Sequence, residues 1–227
     1  VPSMARLPCG PQPGQSAGDL FEKAKAFAAQ NRLAMTAALG GLGALLVGSR
    51  GGRGLLGGGA ALGGLALIGG LAFKAFHNYK AQAKPAAQNL IEAAPSDSPF
   101  GETGNALEDN DVALVILRAM IAAAACDGLI DSRERARIID GLEDLGLETE
   151  AARFLDQEFA KPATIPQLAA AVKSEAVAAE VYAAARIAIE PNCKQEAVFL
   201  ADLASALRLD PALVAQIDAN ASGAQFH

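Results

Sequence analysis

The stretch that decides the fold is DVALVILRAMIAAAAC, residues 111–126. Apolar side chains recur three and four residues apart at Leu114, Leu117, Ile121 and Ala124, which is the spacing of one face of an α-helix. The pair Asp127-Gly128 follows directly, and glycine tolerates the left-handed backbone that ends helices. Because no part of the chain alternates apolar and polar residues as a strand would, the sequence predicts an all-α protein.

Further helices are predicted on the C-terminal side of this stretch, giving a six- or seven-helix domain over residues 110–222. Their starts are marked by residues that cap helices or break the preceding one. The predicted starts are the capping box Asp131–Glu134, Thr149, Pro166, Ser174, Asn192 with Gln195, and Asp210-Pro211.

The N-terminal side is organised differently. Residues 1–32 are predicted to be a disordered start followed by a short amphipathic helix, and residues 33–80 are rich in glycine and apolar residues. Residues 81–109 combine proline, serine and glycine with little periodicity, which indicates a linker.

Two uncharged apolar stretches lie within residues 33–80, from Leu33 to Ser49 and from Gly54 to Phe73. A helix of about 20 residues crosses the roughly 30 Å hydrocarbon layer of a bilayer, so one or two transmembrane helices are predicted here. A flexible glycine-rich linker is the alternative, but such linkers are polar. A soluble helix is disfavoured because each glycine weakens a helix by about 1 kcal/mol.

Small residues in the second stretch have the spacing that lets helices approach closely in lipid. The residues predicted to pack membrane helices are Gly54, Gly58, Gly59 and Gly63. A homo-oligomer formed through these glycine-rich helices is therefore one expected assembly.

Charge is divided unevenly along the chain. Residues 1–90 carry nine Lys and Arg against two acids, whereas residues 91–227 carry ten against 23. The basic part suits membrane lipid with anionic headgroups, and the acidic part argues against nucleic acid as a partner. The distribution of cations favours, by a narrow margin, a hairpin with the C-terminal domain in the cytoplasm. If only the second apolar stretch spans the membrane, the N-terminus and the C-terminal domain lie on opposite sides of the membrane.

Two segments carry a resemblance to a known family. LRAMIAAAACDGLIDSRE, residues 117–134, resembles the signature of the tellurite-resistance TerB-like superfamily. Together with the glycine-rich segment, IEPNCKQEAVFL, residues 189–200, resembles the YebE-type inner-membrane proteins within it. The resemblance covers residues 33–218. It implies an all-helical domain attached to the bacterial inner membrane, in a family without established biochemistry.

The resemblance also implies a divalent cation, Ca²⁺ or Mg²⁺, held by acidic residues. Transferred to this sequence, the ligands would be Asp127, Asp131, Glu134, Glu190 and Glu196. Asn192 stands where the family has a second aspartate, which removes one carboxylate. The favoured alternative is local: these carboxylates end or cap helices and interact with the helix dipole.

No catalytic residue is predicted, since residues 110–222 contain no histidine for Ser-His or Cys-His chemistry. Cys193 lies near a predicted helix start, where a thiolate is favoured, but a structural position is the more ordinary interpretation. The sequence therefore predicts a non-enzymatic, membrane-anchored helical interaction module that contacts a basic partner or a cation, with a stress- or metal-related role. The alternative is an oligomeric scaffold or pore that the C-terminal domain regulates.

Overall fold

The structure, a computed structural model, describes residues 64–85, 91–101, 105–128, 149–189, 191 and 193–223. Across these ranges the chain forms seven α-helices and no strand, which confirms the all-α prediction for this part. The helices are α1 (Gly64–Lys80), α2 (Ala106–Ala124), α3 (Thr149–Ala160), α4 (Ile165–Ala171), α5 (Glu175–Ala188), α6 (Lys194–Ala206) and α7 (Pro211–Gly223).

Two central helices, α2 and α5, form the core of the bundle and pack along each other. In α2 the predicted face of Leu114, Leu117 and Ile121 is buried, as are most residues between these positions. Seven of the fourteen residues of α5 are buried alanines, and such small side chains let neighbouring helices approach closely. The remaining helices pack around this pair: α1, α6 and α7 contact α5, and α3 and α4 contact α2.

Helix α1 contains the second half of the apolar stretch Gly54–Phe73. Ile68, Leu71 and Ala72 are buried within the hydrophobic core, and the helix packs on α5 and α7. None of the helices in the described ranges has the length and apolar character needed to cross a membrane. The first apolar stretch, Leu33–Ser49, lies outside the described residues.

The four glycines predicted to pack membrane helices, Gly54, Gly58, Gly59 and Gly63, also lie outside the described residues. The glycine pair Gly69-Gly70, in the same apolar stretch, lies within the described residues. It is in close contact with another segment of the same chain. A Cβ atom added to Gly70 would lie 1.9 Å from the carbonyl oxygen of Glu92. These glycines therefore let residues 91–101 lie directly against α1.

Part of the predicted linker, residues 91–101, is packed rather than extended away from the helices. Phe100 is buried, and its ring centroid lies 6.0 Å from that of Phe73 and 5.4 Å from that of Phe76. Helix α2 also begins at Ala106, within the predicted linker. This packing was not predictable from the sequence, because a single phenylalanine attaches an otherwise aperiodic segment.

The predicted helix caps are observed at α5 and α7, but α4 begins at Ile165 after the cap residue Thr164, and α6 has a different cap. Ser174 accepts a hydrogen bond from the backbone N–H of Val177 at the start of α5, as predicted. At α6 the prediction of Asn192 with Gln195 is wrong, since the cap is Cys193 with Glu196. The predicted helix that starts at Asp131 lies outside the described residues.

Candidate functional site

A cavity of about 610 Å³ opens between four parts of the described fold: α1, residues 91–101, the first half of α2 and the start of α5. Its walls are mostly apolar and include Ala66, Phe100, Val112, Ile116 and Val177. A volume of this order lies within the usual range for small-molecule sites, which are largely apolar with a few polar groups. The cavity is therefore the candidate functional site.

Glu180 of α5 lines this cavity, although the residue is only 6% exposed. Among the described residues it has no hydrogen bond or ion pair. Helix α1 faces it with Gly69, at which an added Cβ would lie 3.4 Å from Oε1 of Glu180. The glycine thus leaves room for the carboxyl group between α1 and α5.

Burial raises the pKa of the Glu180 carboxyl from its ordinary value of 4.5 to about 8. The cause is desolvation, which disfavours the charged form of an acid. At neutral pH the empty cavity therefore contains a mostly protonated carboxyl group. A cation placed beside this group would favour its ionised form.

The polar part of the cavity is predominantly acidic. Glu108, Asp109 and Asp111 from the start of α2 line it, together with a single cation, Lys173. The ammonium of Lys173 lies 3.3 Å from Oδ2 of Asp111, and this exposed pair neutralises one of the three acids. The approach to Glu180 is consequently more favourable for cations than for anions.

The predicted metal ligands are only partly described. Asp127 is exposed in the turn after α2, whereas Glu196 is buried in the first turn of α6. The other three, Asp131, Glu134 and Glu190, lie outside the described residues. No group of three or more histidine, cysteine, aspartate or glutamate side chains that could hold a metal ion occurs in the described part of the chain.

Glu196 has a structural role at the helix start. Its carboxylate accepts a hydrogen bond of 3.3 Å from the backbone N–H of Cys193. Its own backbone N–H donates to the Cys193 sulfur at 3.5 Å. This capping box corresponds to the alternative in which Glu196 caps a helix rather than binding a metal ion. Cys193, which was expected near the helix start, is the cap residue itself.

The thiol of Cys126 lies near this cap. Burial raises its pKa to about 11, and the charges of Asp127 and Glu196 and the thiol of Cys193 add to the shift. A thiol with a pKa this high is almost wholly protonated at neutral pH, and is therefore a poor nucleophile. The structure thus gives Cys126 a packing role against the hydrophobic core.

A second polar cluster joins α5 to α7. Arg186 is buried, donates to the carbonyl of Ile189 at 3.1 Å and to the hydroxyl of Ser222 at 2.9 Å, and pairs with Asp218 at 3.4 Å. The hydroxyl of Tyr182 donates to the same carboxylate at 3.1 Å. Since its members satisfy one another, this cluster fixes how α7 lies on α5.

Sequence reasoning missed Glu180 and the cavity. The available signal was a second carboxylate, Glu180, flanked by alanine and valine inside EAVAAEVYAAARIA, residues 175–188, which beyond its first residue is mostly the pattern of a buried helix. The cavity itself was not predictable, because residues 91–101 form one wall and show no periodicity.

Comparison with known proteins finds one family. A family profile described as "Protein of unknown function (DUF533)" matches residues 32–221. No curated protein matches the chain, and no solved structure matches it.

Proposed function

The chain belongs to the DUF533 family, and we propose that it is a non-enzymatic binding module attached to a membrane, with the cavity beside α1 as its binding site. The observation that carries the proposal is the buried carboxyl of Glu180, which lines that cavity and has no hydrogen bond or ion pair within the part of the chain that the structure describes. An unpartnered polar group in an apolar site is costly unless something binds to it.

Binding rather than catalysis is proposed because acid-base or nucleophilic chemistry requires positioned partners. The cavity lining includes carboxylates, an amide, a lysine and the hydroxyls of Ser96 and Ser174. Of the two serines, Ser174 is used to cap α5 by accepting the N–H of Val177. The chain has only two histidines, His77 and His227.

Membrane attachment is proposed through the first apolar stretch, Leu33–Ser49. It carries no charge over 17 residues and is flanked by Arg32 and Arg50, which suits a short membrane-embedded segment. The second stretch is a weaker candidate over residues 64–73, since Ile68 and Leu71 of α1 pack inside the protein. We also propose that this membrane is a bacterial inner membrane. The relationship of the chain to YebE-type and TerB-like proteins is part of the same proposal.

The binding part of the proposal is tested by NMR on the full chain in a mild detergent. A panel of small organic cations, anions and neutral compounds is added, and shifts of the amides of Ala66, Phe100 and Val177 are followed. At least one class of compound should shift all three amides together. A Val177→Trp variant, which fills the cavity, should remove the response while the Tyr182–Asp218 end of the bundle keeps its spectrum.

Absence of any response from the whole panel would reject the cavity as a binding site. Shifts confined to exposed residues such as Asp202 would do the same, because they indicate non-specific association. Membrane attachment is tested separately by flotation, so that the two parts of the proposal fail independently.

A further inference from the structure

We propose that the cavity binds a primary ammonium group carried on an apolar body, with the ammonium paired to the carboxylate of Glu180. This inference rests on the proposed function, because it names the ligand class of the same cavity. It depends on three features: the position of Glu180, the apolar walls, and the charges along the approach.

The position of Glu180 sets the charged end of the ligand. Glu180 belongs to the second turn of α5, and Gly69 of α1 lies across from its carboxyl group. Because Gly69 has no side chain, the carboxyl group fits between α1 and α5, and Glu180 also lines the cavity. An ammonium is a compact cation with three donors, and it fits beside one carboxylate without the paired acceptors that a guanidinium prefers.

The walls set the rest of the ligand. Besides the acidic residues, the cavity lining includes Phe100, Val112, Ile116 and Val177. A bare metal ion would leave these apolar surfaces wet, and Ca²⁺ or Mg²⁺ needs six or more oxygen ligands. An alkyl or aryl body covers these surfaces instead, and each buried methylene should tighten binding about fourfold.

The charges along the approach exclude an anion. Glu108, Asp109 and Asp111 line the cavity with Lys173, which is paired to Asp111. These four, together with Glu180, are the titratable side chains that line the cavity among the described residues. Helix α1 and residues 91–101 contribute only uncharged lining residues such as Ala66 and Phe100.

Binding moves one proton. The empty site holds Glu180 protonated, because burial raises its pKa to about 8. When the alkylammonium enters, the carboxyl O–H bond breaks, the proton leaves to solvent, and the carboxylate and ammonium remain as an ion pair. At pH 7 binding should therefore release about 0.9 proton, and the affinity should rise about tenfold between pH 6 and pH 7.

The experiment uses hexylammonium as the probe, with hexanol and hexanoate as analogues of the same chain length. Isothermal titration calorimetry on the full chain in mild detergent measures affinity, and buffers of different ionisation enthalpy report the protons released. The variants are Glu180→Gln, which keeps the shape and removes the charge, and Asp202→Asn, a control that removes an exposed carboxylate of α6 outside the cavity lining.

Hexylammonium should bind the wild type at least tenfold more tightly than hexanol and should release a proton. Glu180→Gln should lose at least tenfold in affinity together with the proton release, whereas Asp202→Asn should change affinity less than threefold. From butylamine to pentylamine to hexylamine, the affinity for the protein should rise about fourfold with each added methylene.

Equal binding of hexanol and hexylammonium, unchanged by Glu180→Gln, would overturn this inference while leaving the cavity as a binding site. Preference for hexanoate would overturn it in the same way. If none of the three probes binds, the inference fails, and the wider NMR panel then decides whether the proposed binding function fails with it.

Discussion

Replacing Glu180 with glutamine should make the protein more stable at pH 8 while leaving its stability near pH 4.5 almost unchanged. The residue is 6% exposed, and burial raises the pKa of its carboxyl from 4.5 to about 8. Glutamine has nearly the same shape and does not titrate. The difference between the two proteins therefore isolates the cost of ionising a buried acid.

The sign follows from proton binding in the two states. Below pH 4.5 both the folded and the unfolded chain hold the Glu180 proton, and the stabilisation of its protonated form is fully present. Between pH 4.5 and pH 8 the unfolded chain has released the proton and the folded protein has not. The free energy of unfolding then falls by about 1.36 kcal/mol for each pH unit, and this loss ends above the folded pKa.

Over the whole interval the loss amounts to roughly 4 to 5 kcal/mol, which is an upper bound because a real site relaxes on ionisation. We expect Glu180→Gln to recover at least about 2 kcal/mol of this by pH 8. Urea unfolding of the full chain in mild detergent at several pH values between 4.5 and 8 measures the difference. Glu108→Gln, an exposed acid on the cavity rim, should differ from wild type by less than about 0.5 kcal/mol throughout.

Parallel pH profiles for the wild type and Glu180→Gln would refute the reasoning. They would mean that Glu180 is ionised in the folded protein and compensated by a group beside it. If the pH profiles of the wild type and Glu180→Gln become parallel only after hexylammonium is added, the result would instead support the ammonium site. The ligand would then supply the missing counter-charge to Glu180.

Other perturbations test the packing, the membrane stretch and the metal hypothesis. Gly70→Ala should destabilise the protein by about 1–3 kcal/mol in urea unfolding, because the new Cβ would meet the backbone of Glu92 at 1.9 Å; a gain of about 1 kcal/mol, as helix propensity alone predicts, would contradict this. Arg186→Met should cost about 2 kcal/mol in the same assay by leaving Asp218 without its cation, and an unchanged midpoint would show that the cluster is dispensable. Leu42→Arg should reduce flotation of the full chain with phosphatidylethanolamine–phosphatidylglycerol vesicles, since a charge at the centre of a membrane helix costs about 3 kcal/mol, and undiminished flotation would count against the first stretch as the attachment. Calorimetric titration with millimolar Ca²⁺, Mg²⁺ or Zn²⁺ should give no binding heat, and a saturable heat would revive the metal site.

The helices were predictable from the sequence because their signals are local. The periodic face of α2 and the Ser174 cap of α5 depend only on neighbouring residues, and both are observed. The cap of α6 was misplaced by one residue, because Cys193 is a less usual cap than Asn192. The sequence supplied no rule that chose between these adjacent positions.

The cavity was not predictable, because it depends on contacts between segments far apart in the chain. Phe100 attaches an aperiodic segment to α1 through Phe73 and Phe76. The doublet Gly69-Gly70 belongs to the apolar stretch Gly54–Phe73 that was predicted to span a membrane. In the structure it accommodates the segment that contains Phe100. Glycine at close spacing indicates close approach, but the sequence does not say whether the approaching chain is a neighbouring helix in lipid or a nearby loop.

Two buried glutamates differ in how their burial is compensated, and this difference is the reason for proposing Glu180 as the ligand-binding group. Glu196 is 5% exposed and Glu180 is 6% exposed. The carboxylate of Glu196 accepts the backbone N–H of Cys193, so its burial is compensated within α6. Glu180 has no hydrogen bond or ion pair among the described residues, and its burial costs stability at neutral pH. Because Glu180 lines the cavity, a ligand there can supply the partner that Glu196 finds within α6.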